Sequence, residues 1–259
     1  MKKILCALLC LGMLFGCTGD SEPKEKVFLN DDEIDSMFTN PEDYKDKYVT
    51  LTGIIFAEPE VDGDAMALQV FADPENSEQN FIVHCPKLDV KTDDYVKVTG
   101  YIDGEFEGEN VFGGVVTGPV IISEEVEKTD YISAVKPTIQ TIDVNQTKTS
   151  HDVSFTIQKV EFAEDQTRIY LAIDNQSKYT YTYYSFDTKI VQDSKQYEEN
   201  DDYNLDDYDL DNEILSGVKS EGIVTFDKID SSKDFRIQLS GYSDNYDLDQ
   251  DTITCEIKV

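Results

Sequence analysis

Along most of this chain apolar and polar residues alternate one by one, the period of a half-buried strand and not of a helix. Two runs are nearly alike, Tyr48-Val-Thr-Leu-Thr-Gly53 and Tyr95-Val-Lys-Val-Thr-Gly100. In the first, Val49, Leu51 and Ile55 share a face opposite Tyr48, Thr50 and Thr52; in the second, Val96, Val98 and Ile102 oppose Tyr95, Lys97, Thr99 and Tyr101. The glycine closing each run has no side chain to pack and marks a sharp coil, as a small barrel requires. With the repeats extended to 47–57 and 94–103, runs over 65–71, 80–85 and 111–123 complete five strands. Ahead of them Asn30 can cap a short helix bearing Ile34, Met37 and Phe38, and Asn40-Pro41 opens another turn with Tyr44.

The pattern weakens from Tyr131 to Lys148, which includes Lys136-Pro137 and reads as a connection between domains. Seven strand candidates follow, over 152–162, 168–175, 183–192, weakly near Ile214, 219–228, 234–242 and 252–259. Separated by Asp, Asn, Ser and Gly turns, they predict an antiparallel sandwich. The expected fold class is all-β: a five-stranded barrel with a short N-terminal helix over 31–130, a linker over 131–148 and a β-sandwich over 149–259.

The start of the chain changes the picture of where it resides. Lys2 and Lys3 precede an apolar run from Ile4 to Phe15 that ends at Gly16-Cys17. The run is too short to span a bilayer, so residues 1–16 read as an export signal outside the fold. Residues 17–30 then form a polar tether. Loss of the two lysines would take the formal charge from −32 to −34. A chain so acidic avoids anionic lipid and nucleic acid.

Three resemblances follow from these residues. Leu14-Phe15-Gly16-Cys17 resembles a bacterial lipobox, with Phe15 bulkier than usual; it implies a diacylglycerol on Cys17 and a site on the outer face of the cell membrane. Two acyl chains make a lasting anchor. Tyr48 to Gly53, Phe81 to Pro86 and Tyr95 to Gly100 resemble the bacterial OB-fold family related to anticodon-binding domains and common in exported lipoproteins. The short Pro86–Asp93 connection departs from the many OB-folds that place a helix there. Ile173-Asp174-Asn175-Gln176-Ser177, Phe186 to Tyr197 and Leu215-Ser216-Gly217 through Phe226 resemble an immunoglobulin-like domain family of unknown function in bacterial surface lipoproteins. Ser194-Lys195 stands where that family usually has Gly. The likeness implies an OB-like barrel followed by an immunoglobulin-like sandwich, and carries no catalytic residue.

Candidate chemistry is sparse. Apart from Cys17, export leaves Cys85 and Cys255, which fall on apolar faces of different domains and read as free core thiols. His84 and Cys85 are strand neighbours and point to opposite faces, so they cannot pair as base and nucleophile. His151 reads as a solvated turn residue. No nucleophile elbow, phosphate loop, zinc spacing or dinucleotide fingerprint occurs. Between Asp31 and Asp130 stand 25 acids and 6 bases, with no basic cluster for phosphates, so no nucleic-acid partner is expected.

Two features point to binding. Residues 198–213 carry nine acids, including Asp207, Asp209 and Asp211, and a second loop holds Asp247, Asp249 and Asp251. Oxygen-rich loops suit calcium, although neither is an EF-hand; a solvated acidic loop is the plainer alternative. Tyr179 and Tyr181 crowd one connection and Tyr242 and Tyr246 flank another, a composition suited to a protein partner, or else to covering a sheet face. The expected function is non-catalytic: a surface-anchored binding or scaffold module for a protein or small ligand. The alternatives are a calcium-dependent adhesion module and an envelope enzyme with an unidentified site.

Overall fold

The computed structural model describes residues 25–109 and 114–259. The expected signal, Cys17 and the first part of the tether lie outside the described residues. The helix forms as its cap dictates. Asn30 accepts from the Glu33 amide at 3.1 Å while the Glu33 carboxylate accepts from the Asn30 amide at 2.9 Å, a capping box that starts α1 (Asp31–Thr39). Met37 is fully buried and Ile34 and Phe38 pack against the same core, so α1 covers one end of the barrel.

The strands β1 (Tyr48–Ile55), β2 (Glu60–Asp62), β3 (Ala65–Asp73), β4 (Glu78–Pro86), β5 (Tyr95–Glu109) and β6 (Val115–Thr129) form one sheet. Its order β1-β5-β6-β4-β3 closes into a five-stranded ring when Ile54 and Ile55 of β1 pair with Phe71 and Val70 of β3. β2 is a short flap on β3 outside that ring. The two sequence repeats turn out to be partners: Tyr48 to Ile54 run antiparallel to Tyr101 to Tyr95. Val49, Leu51, Ile55, Val96, Val98 and Ile102 all point inward as the alternation requires.

The stretch expected to be a connection is structured. It contains α2 (Tyr131–Val135) and most of β7 (Gln140–Ser150). β7 escaped notice because it offers only Ile142 and Val144 to the core before a bulge near Asn145, whose φ is 48°. With β8 (Val153–Phe162), β9 (Gln166–Asn175) and β14 (Val218–Asp227) it forms a sheet in the order β14-β9-β8-β7. The facing sheet is built on β15 (Phe235–Ser243) and β16 (Asp251–Ile257). On the other side of β15 lie β10 (Tyr181–Tyr183) and β11 (Lys189–Gln192), one expected strand split by a 3-10 turn at Ser185–Asp187. β12 (Lys195–Tyr197) and β13 (Glu213–Ile214) extend these two halves. Both sheets are antiparallel and contribute to one core.

Cys85 is buried in the barrel core and Cys255 in the sandwich core, both free. Burial pushes both thiols up, which keeps them protonated.

α2 sits where the two cores meet. Thr52 of the barrel donates to the Ala134 carbonyl, and Tyr95 packs edge-on against Tyr131 at 5.9 Å. Tyr131 in turn donates to Asp202 of the acidic run. Lys136 pairs with Glu75 in the β3–β4 turn and with Asp165 in the β8–β9 turn. Behind them Arg168, fully buried, donates to the Lys136 carbonyl, Thr138, Gln166 and Glu161.

Candidate functional site

A wide concavity opens on the outer face of the barrel, beside α1, the end of β5 and the start of β6. Its volume is about 710 Å³. Period two explains the wall: Met66, Leu68 and Val70 of β3 point into the core, leaving Gln69 and Phe71 on the outer face. Phe56 stacks on Phe71 with ring centroids 3.8 Å apart and planes 17° apart. Phe38 of α1 and Phe106 of β5 complete an aromatic lining drawn from four separate segments.

The approach of β4 to β6 sets one wall. A methyl group on Gly118 would lie 2.3 Å from the Asn80 carbonyl and 2.8 Å from the Phe106 ring, so only glycine lets that ring reach the groove. The polar members include Asp35 and Glu78 at the rim, both exposed, Ser77, Gln79 and Asn80 of the β3–β4 turn and β4, and Thr39, Gln69 and Thr117. Gln79 donates to Asp35 at 3.2 Å and ties the β3–β4 turn to α1. Ser77 and Gln79 hold φ values of 55° and 53°, the left-handed region that side chains rarely adopt. The Asn80 amide oxygen is buried without a hydrogen-bond partner among the described residues.

Residues marked by the sequence fare unevenly. The two tyrosine connections do meet: Tyr181 pairs with Ser243 and Thr182 with Tyr242, and the Tyr184 ring lies 6.4 Å from Tyr242 and stacks on Phe186. Asn175 shapes this end. Its buried amide donates to the carbonyls of Tyr179 and Ile214 and accepts from Ser177. Tyr179 and Tyr242 are about two-fifths exposed and Tyr246 is 98% exposed. Tyr181 is different. It is fully buried, packs edge-on against Phe155 and donates to Asp251, so it belongs to the core and offers no partner surface.

The acidic residues do not converge. Asp207, Asp209 and Asp211 lie on a run laid along the open edge of β14, where Asp211 donates its amide to Ser220 and Tyr208 abuts Gly222. This run covers a strand edge that would otherwise invite pairing. Asp247 and Asp249 are exposed in the β15–β16 connection of the opposite sheet. Asp251 is buried and accepts from Ser150, His151 Nδ1 and Tyr181. Among the described residues no three His, Cys, Asp or Glu side chains gather as metal ligands do.

His151 is the exposed turn residue the sequence predicts, and its ring also reaches a buried carboxylate. Its Nδ1 lies 3.0 Å from Asp251 and 3.3 Å from Ser150. Serine and carboxylate therefore meet the same ring nitrogen, and Ser150 donates directly to Asp251. A serine-activating relay needs the two on opposite nitrogens of the imidazole. The arrangement instead supplies three donors to one buried carboxylate and ties the end of β7 to the start of β16.

No protein-family model matches the chain, and no curated protein matches it. Among solved structures it is similar to the crystal structure of a functionally unknown protein from Listeria monocytogenes EGD-e. The identity is 14%, the match covers 48% of this chain and 87% of that one, and the TM-score is 0.40.

Proposed function

We propose that this protein is a non-catalytic binding module of the cell envelope, exported and held by a lipid on Cys17, and that the phenylalanine groove is its ligand site. The groove carries the reading. Its volume falls within the roughly 300–1,000 Å³ of small-molecule sites, and its lining joins four phenylalanines to polar side chains that can orient a ligand. The ring order supports an OB-like barrel. Counted by its five members, the first strand pairs with the second and fourth, and the fifth lies between the third and fourth, parallel to the third. The sandwich supports an immunoglobulin-like order if β8 is taken as the first strand and β7 as an addition. Then the second strand, β9, pairs with the fifth-strand equivalent β14, while the third, β10 with β11, pairs with β15.

Two outcomes check this. Screened by thermal unfolding, at least one class of small organic ligand is expected to raise the midpoint of the full chain. At a hundredfold excess over Kd the gain is about 2.7 kcal/mol. Phe71→Ala is expected to abolish that rise. Equal rises in both proteins would place binding elsewhere. For the anchor, the protein made in a bacterial host is expected to partition into detergent, and Cys17→Ser to release it into the aqueous phase. Retention of the variant in detergent would remove the lipid from the account.

A further inference from the structure

Charge says what kind of ligand the groove takes. Its rim carries two carboxylates, Asp35 and Glu78, and among the described residues its lining contains no lysine, arginine or histidine. The chain as a whole has a formal charge of −32, and clefts of one sign concentrate counter-ions of the other. Phe56 and Phe71 cover one face of each other by stacking, and an aromatic surface of this kind attracts cations as well as apolar stems. Asn80, in the same lining, holds an amide oxygen with no hydrogen-bond partner among the described residues. An anion would meet repulsion at the rim and find no donor among the charged residues. A neutral apolar ligand would use the rings and leave the carboxylates idle.

Resting on the binding reading above, we propose that the groove binds an organic cation, a primary ammonium or guanidinium on an aliphatic stem. The stem lies against Phe56, Phe71 and Phe106, and the head sits at the rim with Asp35 and Glu78. Such a head occurs on free amines and on lysine or arginine side chains, so the shared chemistry defines the site.

The test uses three probes with one stem and different heads: hexylammonium, hexanol and hexanoate, titrated calorimetrically into the full chain at 150 mM salt. Hexylammonium is expected to bind at least tenfold more tightly than hexanol, and hexanoate not measurably. The double variant Asp35→Asn/Glu78→Gln, both exposed positions, is expected to lose at least fivefold in hexylammonium affinity and none in hexanol affinity. Phe71→Ala is expected to weaken both. Agmatine against a capped Ala-Arg-Ala peptide then assigns the source; tighter peptide binding points to a polypeptide side chain, tighter agmatine binding to a free amine, and either supports the cation. Equal affinity for alcohol and amine, both lost in Phe71→Ala, overturns the cation preference and leaves the groove a binding site. Amine binding untouched by the double variant is general counter-ion attraction and overturns the proposal. If Phe71→Ala alters the binding of no probe, the binding reading falls with it.

Discussion

Replacing Arg168 with leucine is expected to lower the unfolding free energy by about 3–5 kcal/mol, as removal of one member of a buried pair typically does. The guanidinium is fully buried on β9 and its planar fork serves four acceptors. NH1 donates to the Lys136 carbonyl at 2.9 Å and to Gln166 at 3.2 Å; NH2 donates to Thr138 at 2.8 Å and to Glu161 at 3.3 Å. Leucine would fill part of the volume and take this donor from the Lys136 carbonyl and the Gln166 amide oxygen under the connector, while Glu161 keeps Lys159, Thr138 and Tyr170. Lysine is not expected to rescue, because a single ammonium cannot reproduce the fork. Urea unfolding followed by far-UV dichroism measures the loss. A loss below about 1 kcal/mol would show that the connector is held by other contacts.

Glu161 gives the same network a pH signature. Burial raises its carboxyl, but hydrogen bonds from Lys159, Thr138 and Tyr170 outweigh it, and the folded pKa lies below the ordinary value. A carboxylate depressed in the folded state contributes stability that is fully present above its unfolded pKa. That contribution is lost as pH falls through the lower folded value. The Arg168 deficit is therefore best measured near neutral pH, where Glu161 is ionised in both states.

Much of the architecture was legible because burial in a sheet writes itself at period two. Val49, Leu51, Val96 and Val98 fall inward by alternation alone, and the Asn30 cap follows from its residue type. What escaped lacks that signature. β2 and β12 are three residues long and carry no buried side chain, so no alternation exists to find. β7 shows its two apolar residues only on one side of a bulge. Tyr181 and Tyr179 are alike in sequence, and only the opposing sheet, through Phe155, decides that one is core and the other surface. The groove was hidden for another reason: it takes one phenylalanine from each of four segments. The available sign was an aromatic on the wrong face, Phe71 in line with Gln69, and Phe106 set between Glu105 and Glu107.

The glycine of the first repeat offers the sharpest test of how closure and site are joined. β1 changes partners just after Gly53: up to Ile54 it pairs with β5, and from Ile54 it also pairs with β3. A methyl group there would lie 2.2 Å from the Phe71 carbonyl and 2.7 Å from Val70 Cγ1, far inside contact distance. A methyl group on Gly100, its counterpart, would lie 2.3 Å from the Ile122 carbonyl, so each repeat ends in glycine where another strand's backbone presses against it. Gly53→Ala is expected to cost about 2–3 kcal/mol, since backbone and not a yielding side chain must move. Gly108→Ala, with none of the described residues within 4 Å of the added methyl, is expected to stay within about 0.5 kcal/mol. Because the displaced carbonyl belongs to Phe71, Gly53→Ala should also weaken groove ligands under conditions where the variant is still folded. A stable variant with unchanged affinity would mean that the ring can close without glycine, and that the groove is not set by the closure.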